Sequence, residues 1–235
     1  MISKFTKLAI GAVATGGLLL SQAALAGLLT VNLGGFICPD NAACDSNPLV
    51  NVITVQAGVN GVPLIPGYTV AITIGTSNNP GGPAFALLDT TWNVNTLGPG
   101  ATGGPLTILV SQTDFTFPGS PLATLESACG GDALNATVTC QEWANLSNTL
   151  FGLGPITPGP QGPFSAPFAS DLFISYASNT PYAITDRLIF SLTAQGTSTG
   201  DLRTTIRQRA PEPATLALVG GALVGLAFLR RRKQS

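Results

Sequence analysis

Tyr68-Thr69-Val70-Ala71-Ile72-Thr73-Ile74-Gly75 alternates along its length with a period of two. Tyr68, Val70, Ile72 and Ile74 fall on one face of an extended chain, and Thr69, Ala71 and Thr73 on the other. β-Branched and aromatic residues dominate the stretch, as they do on a pleated, half-buried surface. The pattern predicts a β-strand.

Working outward, similar short runs recur at Leu28–Leu33, Val50–Gln56, Ala84–Leu88, Thr91–Asn95, Leu106–Gln112, Thr137–Cys140, Leu172–Tyr176, Tyr182–Leu192 and Leu202–Ile206. Breakers stand between them: Asn78-Asn79-Pro80-Gly81-Gly82-Pro83, Gly98-Pro99-Gly100, Gly103-Gly104-Pro105 and Phe117-Pro118-Gly119. Short strands at this spacing predict an all-β fold, an antiparallel β-sandwich of jelly-roll or immunoglobulin-like type. Glu142 to Phe151 is the one segment that also suits a short helix, with Trp143, Leu146 and Leu150 on one face. Gly152 to Pro167, rich in proline and glycine, reads as an extended loop.

Composition narrows the chemistry. The chain of 235 residues has no histidine, which removes Ser-His-Asp and Cys-His nucleophiles and every His-ligated metal. A net charge of −1 lacks the basic footprint of a nucleic-acid binder. Only 9% of residues are charged. Between Lys7 and Lys233 there is no lysine. Over residues 27–209, ten acids stand against four arginines, a balance of −6 that suits a protein kept soluble among polyanions.

The two ends read as addresses. Lys4 and Lys7 precede an apolar run, Leu8 to Leu20, and Ala24-Leu25-Ala26 supplies the small residues that a signal peptidase needs. Residues 1–26 are therefore expected to be a signal peptide cut after Ala26; the competing reading is an N-terminal membrane anchor. At the other end, Ala214 to Leu229 is 16 residues without a charge, followed by Arg230, Arg231, Arg232 and Lys233. As a helix it would span about 24 Å, a short transmembrane segment whose basic end stays cytoplasmic and stops transfer. A single C-terminal transmembrane helix over 214–229 is thus expected, with 27–209 exported. The competing reading is a buried core helix.

Pro211-Glu212-Pro213, the apolar span and the arginine cluster, in that order at the C-terminus, resemble the PEP-CTERM sorting signal. The resemblance covers residues 210–235. Many members carry a serine after the motif, where this chain has Ala214-Thr215. It implies an exported protein of a Gram-negative bacterium that makes exopolysaccharide. It also implies recognition of Pro211, Glu212 and Pro213 by an exosortase that cuts near them. Gly103 to Pro118 and Pro181 to Leu192 resemble strand segments of other exosortase substrates, with no assigned chemistry. The resemblance further implies a surface or extracellular-matrix protein, structural or adhesive, in a biofilm or exopolysaccharide setting.

The four cysteines form two local sets, Cys38 with Cys44 and Cys129 with Cys140. In an exported chain they are expected to form disulfides, and short loops close most readily, which favours the local pairs. No C-x-x-C spacing points to a metal, and no cofactor is expected.

Carboxylates are the remaining candidates for catalysis. Glu126 and Glu142 bracket the Cys129–Cys140 segment and a disulfide there could bring them together as a glycosidase pair; ordinary solvated acids are the simpler reading, so no enzyme is expected. Asp40, Asn41 and Asp45, or Asp132 and Asn135, offer oxygens for calcium without matching its loop pattern. An alternative function is carbohydrate binding through exposed aromatics, Trp92 and Trp143 foremost, although both also suit a core. The partners expected are signal peptidase, exosortase, the membrane through the tail, and extracellular polysaccharide.

Overall fold

The computed structural model describes residues 27–82, 85–96, 103–116, 122–178 and 181–208. Residues 1–26, with Ala24 and Ala26, and residues 209–235, with the whole sorting tail and its expected helix, lie outside them. So do the breakers at 98–100 and 117–119.

Ten strands form: β1 (Thr30–Leu33), β2 (Phe36–Pro39), β3 (Val52–Gln56), β4 (Tyr68–Ser77), β5 (Phe85–Thr96), β6 (Gly103–Phe115), β7 (Leu122–Asn145), β8 (Gln161–Phe164), β9 (Phe168–Ala177) and β10 (Tyr182–Gln208). All pairings are antiparallel. They make one continuous sheet, in the order β2-β1-β6-β10-β5-β4-β3, with β7 on the other side of β10 and β8 and β9 beyond β7.

Two long strands give this sheet its shape. β10 pairs with β7 over Ala183–Leu192 and again over Thr197–Gln208. On its other side, β10 pairs with β6 over Tyr182–Leu192 and with β5 over Thr197–Arg207. β7 likewise pairs with β9 over Leu122–Gly131 and with β8 at Val138 and Cys140. Between the halves the ladder breaks: Leu192 pairs with Ala136 and Thr197 with Leu134, so four residues of β10 face Asn135 alone. Asn135 and Gln195 both sit at positive φ there, a conformation that turns the chain out of a pleated line. Inward positions shift parity across the break, from Ala123, Leu125, Ser127 and Cys129 to Val138, Cys140, Glu142 and Ala144.

The ribbon thus folds over, and the sheet becomes two facing layers in a nearly barrel-shaped body. Layer A is β2-β1-β6-β10-β7-β8 and layer B is β3-β4-β5-β10-β7-β9, with β7 and β10 in both. Trp92 of β5 meets Phe190 of β10 edge-on at 5.8 Å across the gap. Tyr68 of β4 donates its hydroxyl to the Gly104 carbonyl of β6 at 2.6 Å. The fully buried side chains between the layers include Leu88, Ile108, Leu125, Leu188, Phe190 and Leu202. Each such side chain contributes about 1.5–3 kcal/mol through burial.

The all-antiparallel β expectation holds. Jelly-roll and immunoglobulin topologies, with two separate sheets, do not describe this sheet, because two strands run unbroken from one layer into the other. Of the run 84–88, residues 85–88 join 91–95 in β5, Ala84 lying outside the described residues, and 182–192 and 202–206 are parts of β10. The helix expected over 142–151 is absent. Glu142 to Asn145 continue β7, paired with β10 from Asp186 to Ala183, and the chain then turns with Asn148 and Phe151 at positive φ. A single short turn of helix has little stability of its own and loses to a ladder already in place. Among the described residues there is no helix. In β4, the face expected to hold Tyr68 with Ile74 is divided. A register shift between Tyr68 and Val70 buries Tyr68 together with Ala71 and Thr73, and leaves Ile74 half-buried.

Candidate functional site

β10 runs to the end of the described residues. Its last residue, Gln208, is paired with Ala123 of β7, and Pro211 follows three positions later. Pro211, Glu212, Pro213, Arg230, Arg231 and Arg232 all lie outside the described residues.

Both cysteine sets are bridged. Cys38 on β2 joins Cys44, and Cys129 joins Cys140. The first bridge closes a surface loop whose hub is Asp45. Asp45 Oδ1 accepts the N–H groups of Asn47 and Thr54, both at 2.8 Å, and Oδ2 accepts Asn41 N–H at 3.1 Å. Asp40 accepts Asn51 N–H at 2.8 Å. Its pKa is raised, first by burial. Asp45 thus accepts three N–H groups, and its oxygens organise the loop. Among the described residues no group of three or more Cys, Asp or Glu is placed to hold a metal.

The second bridge sits inside one strand. Cys129 lies in layer B and Cys140 in layer A, 11 residues apart in sequence with Cα atoms 6.4 Å apart. A straight strand would separate them by roughly 36 Å. The bridge is possible only because β7 folds over, and it ties the two layers together.

Glu126 and Glu142 do not form a pair. Glu126 points out of layer B, where Arg207 Nη2 meets its Oε2 at 3.2 Å. Glu142 points inward and is fully buried. The acid it does approach is Asp186, its ladder mate on β10. Asp186 accepts hydrogen bonds from Thr90 Oγ1 at 2.8 Å and from Thr204 Oγ1. Gln161 Nε2 donates to Glu142 Oε1 at 3.2 Å and also to Ser127 Oγ. Glu142 Oε2 has no hydrogen-bond partner among the described residues. This acid cluster was not legible in the sequence. Glu142 lies in the segment expected to be helical, and Asp186 lies far along the chain in the strand run 182–192.

Burial pushes the Glu142 carboxyl up to about 7, against the lowering effect of its Ser127 and Gln161 hydrogen bonds. Burial also raises Asp186 well above the usual carboxylate range, reinforced by Glu142 and Asp89 nearby. A carboxyl raised in the folded state favours folding while protonated. Its contribution is whole below the unfolded pKa and is lost as pH climbs through the folded value. Glu142 alone should make the protein about 2 kcal/mol less stable at pH 7.5 than at pH 5. Thermal unfolding across that range should show the fall, and Glu142→Gln should flatten it. An unchanged slope in the variant would remove Glu142 from the account. Both acids are sealed between the layers, out of reach of a polymer substrate.

The tryptophans are sealed too. Trp92 is 4% exposed and donates Nε1–H to Ser198 Oγ at 3.0 Å. Trp143 is 5% exposed, with the Arg187 guanidinium 4.7 Å from its ring centre. The segment after β7 returns over this outer face, where Ala144 N–H bonds the Ile156 carbonyl at 3.0 Å and Phe151 N–H bonds Ser111 Oγ at 3.0 Å. Neither indole offers a platform for a sugar. Among the described residues, the exposed aromatic on a strand is Phe173 of β9, at 62%.

Residues 209–233 match the model of the PEP-CTERM protein-sorting motif. No curated protein matches the chain in sequence. Among solved structures, the enzymatically active domain of tailspike protein 4 of bacteriophage CBA120 aligns with 74% of this chain and 19% of its own, at 7% identity and a TM-score of 0.26. That likeness is too small to carry an argument about fold or function.

Proposed function

Given a PEP-CTERM sorting motif at residues 209–233, we propose that this is an exported, non-enzymatic protein of the cell surface or extracellular matrix, with a structural or adhesive role. The motif is the observation that carries the reading. It marks a membrane-anchored precursor handed to an exosortase. The apolar span holds the chain in the bilayer, the arginines stop transfer, and Pro211 and Pro213 keep the backbone extended for a protease. Glu212 is a recognition charge in this scheme.

The body supports a passive role. Its two candidate acids lie on opposite faces of the sheet, its buried acids are sealed, and its disulfides fix the loop and the layers. A sheet braced in this way suits a load-bearing part outside the cell. Exopolysaccharide is the partner its setting suggests, although the buried tryptophans give that contact no named site.

Glu212→Ala should leave export intact and abolish C-terminal processing. Mass spectrometry of the exported protein reads the result. The wild type should begin at Gly27 and end near Pro211–Pro213, and the variant should still end at Ser235. Normal maturation of the variant would remove Glu212 from the recognition element.

A further inference from the structure

Four strands end the two layers: β2 and β8 in layer A, β3 and β9 in layer B. Such edges present unpaired N–H and C=O groups and are usually protected. Three of these are. β2 and β8 are four residues each and contain Pro39 and Pro163, which have no N–H to offer. β3 is five residues long, and the disulfide loop already occupies it: Thr54 N–H goes to Asp45 Oδ1 at 2.8 Å and the Thr54 carbonyl to Ser46 N–H at 3.0 Å.

β9 has none of these devices. It runs ten residues, Phe168–Ala177, without proline, lysine or arginine. It pairs with β7 at ten consecutive positions without a register shift, so no bulge twists it away. Among the described residues nothing pairs with its other side. Its outward positions are Ala169, Asp171, Phe173, Ser175 and Ala177, all exposed.

We propose that β9 pairs antiparallel with β9 of a second copy about a two-fold axis at Phe173, making one continuous layer from two B layers. The other edges are closed, so β9 is the strand a second copy has to offer. Cross-strand mates must share a face, so the axis must pass through a residue. An axis at Phe173 sets the two Phe173 rings against each other, Asp171 against Ser175, and Ala169 against Ala177. On the inner face it sets Leu172 against Ile174. The rings form a favourable aromatic pair, and each carboxylate meets a hydroxyl instead of a second carboxylate. An axis at Leu172 would instead oppose Asp171 to Phe173.

The β10 end at Gln208 lies beside the Ala177 end of β9, since Gln208 pairs with Ala123 and Ala123 with Tyr176. The two-fold axis sends these ends in opposite directions. Copies anchored side by side in one bilayer would not meet this way, so the pairing belongs to protein in solution.

Sedimentation velocity on the full chain in a mild detergent tests this. The wild type should be a dimer at micromolar concentration with an unfolding temperature that rises with concentration, and Phe173→Lys a folded monomer whose unfolding temperature does not. Under mild oxidation Phe173→Cys should form an interchain disulfide, while Ala169→Cys, whose mate is Ala177, should not. A monomeric wild type at every concentration overturns the proposal. So does a dimer that survives Phe173→Lys, which would arise from the tail or another surface. Equal cross-linking at Ala169→Cys would overturn the register.

Discussion

Replacing Cys129 and Cys140 together by alanine should lower the unfolding free energy by about 3 kcal/mol, the loop-closure value for residues 11 apart. For a chain of this size that is a fall in unfolding temperature of roughly 6–12 °C. The reason lies in where the bridge sits. Between the facing layers the other contacts near it are packing and hydrogen bonds such as those of Asp186 and Gln161, whereas this covalent bond fixes both halves of β7 at once. The Cys38–Cys44 bridge spans 6 residues and holds only a surface loop, so its removal should cost less, about 2 kcal/mol. Thermal unfolding of both double variants gives the comparison. Equal costs, or a larger cost for the Cys38–Cys44 pair, would mean that the layers do not depend on the bridge inside β7.

Gly200→Val should be at least as damaging, at about 3–5 kcal/mol. Gly200 and Gly131 face each other across the β10–β7 ladder. A Cβ on Gly200 would lie 2.3 Å from the Gly130 carbonyl oxygen, 2.6 Å from the Trp92 ring and 2.9 Å from Gly131 Cα. Backbone cannot step aside as a flexible side chain can. The added atoms must therefore part the two central strands or expel the indole, whose Nε1–H is held by Ser198. Gly104→Ala is the control, since a Cβ there meets nothing within 4 Å. It should stay within about 0.5 kcal/mol of the parent. Near-ultraviolet circular dichroism would report the Trp92 environment alongside the melt. A Gly200→Val protein that melts with the parent would show that the strands are not in close contact there.

These glycines show where reading the chain alone stops. Gly130-Gly131 looks like a turn in sequence, and the run after Cys129 carries no alternation that announces a strand. Yet both residues lie within β7, because β10 supplies a complete ladder opposite them. Glu142 and Trp143 follow the same logic: their spacing suits a helix locally, and only the partner strand makes them extended. Alternation did identify β4, β5, β6, β9 and most of β10. It did not place their faces reliably, since one register shift after Tyr68 exchanged the inward set. That exchange brings small residues inward where the layers come close, as at Gly75, whose added Cβ would lie 2.9 Å from Val110.

By itself, the sequence determined the β class, the lack of histidine chemistry and the sorting motif at 209–233. Each is a local or linear property. Side-chain alternation has a period of two wherever it occurs, and a sorting motif is a linear run of residue types. Tertiary structure alone decided that β7 and β10 fold over at Asn135 and Gln195. It also decided that Glu142 meets Asp186 and not Glu126, and that β9 is left as the one long unguarded edge among the described residues. These depend on which strands pair and in what register. Pairing is settled by contacts between residues far apart in the chain, and no local pattern encodes it.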